Sequence, residues 1–307
     1  MRYLCFVAAV VLAIATRAAA FPKPEAEAPP GLSIRVEEKN PWTNLRLNND
    51  PQTFQFAIVS DRTGGHRPGV FESAMPKLNL LQPEFVMSIG DLIEGAHSGD
   101  TDTEAQWRDF NGTVEKLEMP FFYVPGNHDL KNESALALWQ KQFGRTYYHF
   151  VYRDVLLLVL NSEDPPNYTV GTLKPGHLSD EQLAWAEEVL RENAKVRWTF
   201  IFIHKPMWQY GPLANWSRME SLLGDRPRTA FAGHHHRYAV NRSGSHRYYT
   251  LATTGGGSSL AGPAAGQFDH IVWVTMTAEG PRMANLMLDG IWTDDPAEEA
   301  KEKAQAK

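Results

Sequence analysis

The 307-residue sequence contains one cysteine, Cys5. A single thiol excludes an intramolecular disulfide framework and a cysteine-rich zinc site. Long apolar runs are also missing. The run from Leu4 to Ala15 stops well short of the roughly 20 residues that a membrane-spanning helix requires, and no later run is longer. A basic excess is absent too, with 30 Lys and Arg against 36 Asp and Glu. That balance speaks against an electrostatic nucleic-acid surface. Hydrophobic residues make up 43% and charged residues 21%, which excludes a wholly disordered chain.

The first 20 residues read as an export signal. Arg2 gives a positive start, the short apolar run comes next, and Ala18 and Ala20 form an Ala-x-Ala pattern before Phe21. This predicts a signal peptide cut after Ala20 and a secreted or periplasmic protein. Cys5 would leave with it, so the mature chain would have no thiol at all. Losing Arg2 and Arg17 leaves 28 basic against 36 acidic side chains, a formal charge of -8. Residues 21–41, rich in Pro, Glu and Ala, read as a flexible lead-in. Residues 42–295 carry the domain, and 296–307 form a charged tail. Asn-x-Ser/Thr sequons at Asn111, Asn132, Asn167, Asn215 and Asn241 are glycan acceptors if the secreting cell uses them.

Strand-like runs occur at 53–60, 84–89, 120–124, 155–160, 197–203, 228–232, 247–252 and 270–276. Helical periodicity predicts helices over 69–82, 102–118, 133–143, 179–194 and 215–223. Ser179 and Gln182 have the spacing of a capping box. Such alternation argues for one α/β domain with sheets covered by helices. The run Val155 to Leu160 implies a strand buried on both faces. A short turn at Glu279-Gly280-Pro281 predicts an antiparallel pair of 270–276 with 283–288.

The residues just past the strand ends carry the chemistry. Asp61 comes after 53–60, and Gly90-Asp91 after 84–89. Gly126-Asn127-His128-Asp129 comes after 120–124, and His204 after 197–203. Gly233-His234-His235-His236 comes after 228–232. Ligands bind beyond the carboxyl ends of strands in sheet-and-helix folds. Asp and Asn oxygens with His nitrogens suit divalent ions of the zinc, manganese and iron kind. One strand-end Asp or His would signify little; five in order form a constellation.

These blocks resemble the signature of the calcineurin-like metallophosphoesterases across about residues 53–256. The resemblance implies a four-layer αββα sandwich of two mixed β-sheets flanked by helices. It implies a phosphoester hydrolase with two divalent metal ions, of the Mn, Fe, Zn or Mg type, that supply a metal-bound hydroxide as nucleophile. Carried over by position, Asp91 matches the bridging carboxylate. Asn127, His204 and His234 match the other ligands of one ion, and Asp61 and His236 match ligands of the second. His128 matches the residue that assists the leaving group, and Asp129 its orienting partner. His235 matches no ligand position.

One position departs from the pattern. The first block is usually Asp-x-His, and here it reads Asp61-Arg62-Thr63. A neutral hydroxyl is a poor substitute for imidazole. Glu94 and His66 are the nearby replacement ligands, Glu94 ranking slightly ahead. A carboxylate there would favour manganese, iron or magnesium over zinc. Arg62 is a candidate to hold a phosphate oxygen. Trp208, Tyr210 and Trp216 form either an aromatic wall of the site or core packing beneath a loop. Gly255-Gly256-Gly257-Ser258-Ser259 either closes the cleft or is a plain flexible loop. The expected partner is a phosphoester substrate, with no nucleic-acid patch and no transmembrane anchor. The alternative is a non-catalytic or weakly active metal-dependent binding protein on the same scaffold, which the missing histidine favours and His128 opposes.

Overall fold

The computed structural model describes residues 31–35, 37–95, 100–165 and 175–291. The expected signal peptide, most of the lead-in and the charged tail lie outside the described residues, as does Asn167. The chain divides into two compact units, Met1–Asp50 and Pro51–Lys307. The described part of the first is irregular, without helix or strand among the described residues, with Asn40 Oδ1 accepting from Glu37 N at 2.8 Å.

The second unit runs β1 (Phe54–Val59), α1 (Val70–Leu81), β2 (Val86–Met87), α2 (Asp100–Val114), β3 (Phe121–Phe122), α3 (Glu133–Phe143), β4 (Tyr148–Tyr152) and β5 (Val155–Val159). It continues through α4 (Asp180–Glu192), β6 (Trp198–Phe202), α5 (Trp216–Leu223), β7 (Arg228–Ala232), β8 (Ala239–Ser243), β9 (His246–Thr250), β10 (His270–Thr277) and β11 (Gly280–Met287). One sheet has the order β11-β10-β1-β2-β3, the other β4-β5-β6-β7-β9-β8. Both are mixed. β1, β2 and β3 are parallel, as are β5, β6, β7 and β9, while β10, β11, β4 and β8 pair antiparallel.

The period of two along each strand sorts side chains into the layers. Phe54, Phe56 and Ile58 of β1 join Val155, Leu157 and Val159 of β5 and Phe200 and Phe202 of β6 in the core between the sheets. Their alternates face outward. Ala57 and Val59 pack on α1, α2 and α3, and Leu156, Leu158 and Ile201 pack on α4 and α5. The result is the expected four-layer αββα sandwich. Phe56 stacks on Phe85 at 5.1 Å and meets Phe200 edge-on at 5.2 Å. Truncating such a ring costs about 3–5 kcal/mol.

The five expected helices form where their periodicity places them, their ends displaced by a few residues at most. Ser179 Oγ caps α4 by accepting from Gln182 N at 3.0 Å. The reciprocal half of the capping box is replaced: the Gln182 amide bonds both backbone groups of Asn161, at 2.8 and 3.0 Å. It thereby anchors the loop after β5. Strands 84–89 and 120–124 shorten to two residues each, because their ends turn early into the site loops. β4 and β8, unmarked in the sequence, are edge strands with exposed or half-buried residues. The β4–β5 hairpin turns through Arg153 and Asp154, both at positive φ, as a two-residue hairpin loop requires. Asn132 caps α3, and Asn215 bonds both backbone groups of Leu178, so these two sequons serve the fold.

Candidate metal centre

The carboxyl ends of β1, β2 and β3 in one sheet and of β6 and β7 in the other deliver their blocks to one place. Asp91 is the meeting point. Its Oδ1 accepts from His128 N at 2.9 Å, and its Oδ2 lies 3.1 Å from His204 Nε2. Asn127 Oδ1 also lies 3.1 Å from that nitrogen. Donor atoms of Asp91, His204 and His234 all lie within 4.8 Å of one another. The sharp turns depend on missing side chains. A Cβ added to Gly90 would lie 2.8 Å from Gly126 Cα, and one on Gly233 would strike the Asp61 carboxylate.

The tautomers decide what this cluster can hold. His204 Nδ1 lies 2.9 Å from the Ile89 carbonyl, which can only accept, so Nδ1 carries the hydrogen. Its Nε2 lone pair then faces the oxygens of Asp91 and Asn127. Three converging acceptors repel one another unless a cation or proton lies between them. The titration behaviour agrees: burial opposes charge on His204, but the Asp91 carboxylate outweighs it and lifts His204 to about 9. Burial is again the first influence on Asp91, and His204 overrides it, holding the carboxyl well below its usual range. His234 is pushed down to about 3 by burial and by His204. A neutral imidazole is the ligating form. Asp91, Asn127, His204 and His234 fit a divalent ion.

The second group obeys the same rule. His236 Nδ1 donates to the Gly257 carbonyl at 2.7 Å, leaving Nε2 3.4 Å from Asp61 Oδ1. Asp61 is fully buried and accepts from Ser60 Oγ at 2.7 Å and His234 N at 2.9 Å. Burial opposes ionisation of Asp61, yet the hydrogen bond and charge of His236 keep it low. With Asp91 this makes a second donor set that fits a cation but has three members.

The replacement ligands do not complete it. Thr63, 1% exposed, turns its hydroxyl to the carbonyls of Asp91 and Ile93, both at 2.9 Å. Glu94 Oε1 accepts from Gly65 N at 2.8 Å and His66 N at 2.6 Å, and Oε2 lies 3.6 Å from His128 Nδ1. The His66 ring points to Glu72, 3.9 Å away. Arg62 is turned from the site as well: it is 4% exposed and donates to Glu72 at 2.9 Å and Asp109 at 2.6 Å, over Phe71 and Phe110. Its guanidinium braces α1 and α2 instead of meeting phosphate.

His128 sits at the mouth. Its Nδ1 donates to the Glu94 carbonyl at 2.9 Å. A Cβ placed on Gly64 would stand 3.1 Å from His236 Nε2 and 3.8 Å from His128 Nε2. The Nε2 atoms of His236 and His128 thus flank one spot. Asp129 does not orient His128. Fully buried, it accepts from Leu92 N at 2.8 Å, Ile93 N at 3.1 Å and Gly126 N at 2.8 Å, tying two site loops together. Burial, then the neighbouring Asp91, raises it to about 7.

Other features settle around this centre. His235 reaches Tyr210 Oη at 3.4 Å. Trp208 and Trp216 pack on each other at 5.6 Å beside α5, in the core beneath the loop, so only Tyr210 of the aromatic trio meets the histidine loop. Gly255 to Gly257 is tied down: Gly256 N donates to the Asp61 carbonyl at 2.9 Å and Gly257 N to Gly64 at 3.2 Å. The carbonyls of Ile89, Glu94 and Gly257, which set the histidine tautomers, have no signature in residue type. Only the triple glycine hints at one of them.

Comparison with known proteins agrees with this geometry. A family model described as calcineurin-like phosphoesterase matches residues 54–238. The serine/threonine-protein phosphatase CPPED1 of Bos taurus is 27% identical over 229 residues, 68% of this chain and 69% of that protein. A probable glycerophosphodiester phosphodiesterase, GpdQ, of Arcobacter nitrofigilis is 27% identical over 134 residues, 42% of this chain and 44% of its own length. Among solved structures, a dimetal phosphatase from Danio rerio shares the fold with a TM-score of 0.53 at 16% identity, over 76% of this chain and 99% of that one. A purple acid phosphatase from yellow lupin, Lupinus luteus, does so with a TM-score of 0.58 at 15% identity, over 78% and 52%. The matched segment spans every strand-end block from Asp61 to His236 and more than half of the sequence, and the chain belongs to the calcineurin-like phosphoesterase family of metal-dependent phosphoesterases.

Proposed function

We propose that this chain is a secreted or periplasmic hydrolase that cleaves a phosphoester bond at a centre for two divalent ions, of the Mn, Fe, Zn or Mg type. The observation that carries this reading is the convergence of the Asp91 and Asn127 oxygens on His204 Nε2, each at 3.1 Å, with the His204 tautomer fixed by Ile89. Asp91, Asn127, His204 and His234 would hold one ion, and Asp61, Asp91 and His236 the other. When bound, such a pair supplies positive charge to the phosphoryl oxygens and an activated water.

The chain's own residues would do the rest. Glu94 orients the His128 ring through its carbonyl, so that Nε2 can give a proton to the departing oxygen. Asp129 fixes the Asp91 and Gly126 loops through three backbone hydrogens, which keeps the donors preorganised. The export signal at residues 1–20 supports work outside the cytoplasm; the exported protein would begin at Phe21, which N-terminal sequencing checks.

His128→Ala tests the catalytic role. Hydrolysis of phenyl phosphate is expected to fall about 10²–10⁴-fold while metal content per chain is retained. 4-Nitrophenyl phosphate, whose leaving group needs less help, should lose less. A wild-type chain that hydrolyses neither ester with any of the four metals overturns the reading. The turned-away Thr63 favours one second reading, a metal-dependent binding protein; it predicts one metal equivalent and no hydrolysis.

A further inference from the structure

Beside the metal-facing histidines a cavity of about 420 Å³ opens between Gln209, His235, Arg237, Ala239, Thr250 and Gln267. That is room for a ring-sized organic group. The ring of His235 lies 5.3 Å from that of His234, so the cavity begins one imidazole from the metal-facing donors. Its wall is polar apart from Ala239, and among the described residues it contains no carboxylate.

Among the described residues the only permanent charge in the lining is Arg237. This side chain is exposed, and among the described residues no carboxylate pairs with it. Its stem rests on the turn at Gly266, where an added Cβ would lie 3.1 Å from Arg237 Cγ. The Gly266 carbonyl in turn accepts from Tyr238 N at 2.7 Å, holding that turn against the residue after Arg237. Gln267 spends its Oε1 on Ser259 Oγ at 2.7 Å, which leaves its NH2 group as a second donor. Gln209 has its own NH2 bound to Thr250 Oγ1 at 2.7 Å and serves as wall.

An unpaired guanidinium with an amide donor and no competing acid attracts an oxyanion, and the planar fork suits carboxylate or phosphate. We infer that this cavity is a subsite for a second anionic group, carboxylate or phosphate, on the organic part of the phosphoester. The inference rests on the phosphoesterase reading for the position of the scissile group. It separates candidate substrates by charge: an ester with a neutral organic part would leave Arg237 idle.

The test uses the metal-loaded mature chain and probes with no scissile bond. Benzylphosphonate is compared by calorimetry with its 4-carboxy and 4-phosphono derivatives. One derivative is expected to bind about tenfold tighter than benzylphosphonate, and which one identifies the anion. Arg237→Gln should erase that preference and Arg237→Lys restore part of it. Turnover of phenyl phosphate and 4-carboxyphenyl phosphate is measured alongside, read as the ratio of their kcat/KM values. Equal affinities for the three phosphonates, or a preference that survives Arg237→Gln, overturn the inference. Anion-dependent binding without turnover of any ester supports the subsite and removes the phosphoesterase reading; turnover with no preference in binding does the reverse.

Discussion

Arg67 and Asp269 make no contact with the metal-facing donors, yet they govern the loop that orients one of them. Arg67 Nε donates to the Gly256 carbonyl at 2.8 Å, Nη1 to Asp269 Oδ2 at 2.8 Å, and Nη2 to Thr253 Oγ1 at 3.2 Å. Asp269 also accepts from Thr253 Oγ1 at 2.9 Å and Gly255 N at 3.3 Å. The pair clamps Gly255 to Gly257, and the Gly257 carbonyl fixes His236. The side chains are 25% and 14% exposed. Breaking a buried pair costs about 3–5 kcal/mol and an exposed one about 0–1 kcal/mol, so Arg67→Ala should cost about 2 kcal/mol. In a unit of this size that lowers Tm by about 4–8 °C. Freeing the outer partner of a ligating histidine weakens metal binding about 10–100-fold. Metal per chain, measured by elemental mass spectrometry against chelator concentration, should show the second equivalent leaving early while the first stays. Arg67→Lys, which keeps charge without the fork, should fall between. A full Tm loss with the second equivalent held as tightly as in wild type would refute transmission to His236.

Thr63 and His270, both buried, give two more expected outcomes. Thr63→His should not rebuild the usual first block, because position 63 points to the Asp91 and Ile93 carbonyls: overpacking should cost about 1–3 kcal/mol and lower Tm, with no gain in metal per chain. A firmly held extra equivalent would sink this reading. His270, 1% exposed with Nδ1 2.9 Å from Asn285 Oδ1, is held down to about 4 by burial. The unfolded chain binds that proton near 6.5 and the folded chain does not, so its contribution is full above pH 6.5 and falls as pH drops toward 4. The whole window is worth about 3 kcal/mol at 1.36 kcal/mol per unit. Urea unfolding with chelator at pH 7 and pH 5 should show a smaller difference in His270→Gln than in wild type; equal differences count against it.

The sandwich was legible where burial on both faces leaves a continuous apolar run, as in β5 and β6, and where one face repeats at helical spacing, as in α4. It was illegible at the edges. β8, Ala-Val-Asn-Arg-Ser, has solvent on its outer side and needs no apolar alternation. The Arg153-Asp154 turn lacks the Asn-Gly or Asp-Gly pair that marks such hairpins. In the site, residue type identified the donors, because Asp, Asn and His after strands have few structural substitutes there. Partners were another matter. Asp129 is next to His128 in sequence, but successive residues in a tight loop point apart, and Asp129 turns inward to backbone hydrogens that only the fold assembles. Arg62 beside Asp61 fails the same way: past the end of β1, Asp61 stays buried against the histidine loop while Arg62 turns under α1 and α2.

The missing histidine shows how far a single position can mislead. Read alone, Thr63 is a lost ligand, and Glu94 or His66 is its substitute. In the fold these residues form one lock. Thr63 bonds the carbonyls of the Asp91 loop, and Glu94 from that loop bonds the amides of Gly65 and His66 in return. The exchange pulls Gly64 inward until an added Cβ would come within 2.8 Å of His236 Cε1. Backbone therefore stands against His236 and leaves no room there for a larger side chain. The departure is a change of loop path, with Glu94 drawn into holding His128. Among the described residues Thr63, Glu94 and His66 add no donor to the three-donor side, and water or the phosphoester itself would complete it.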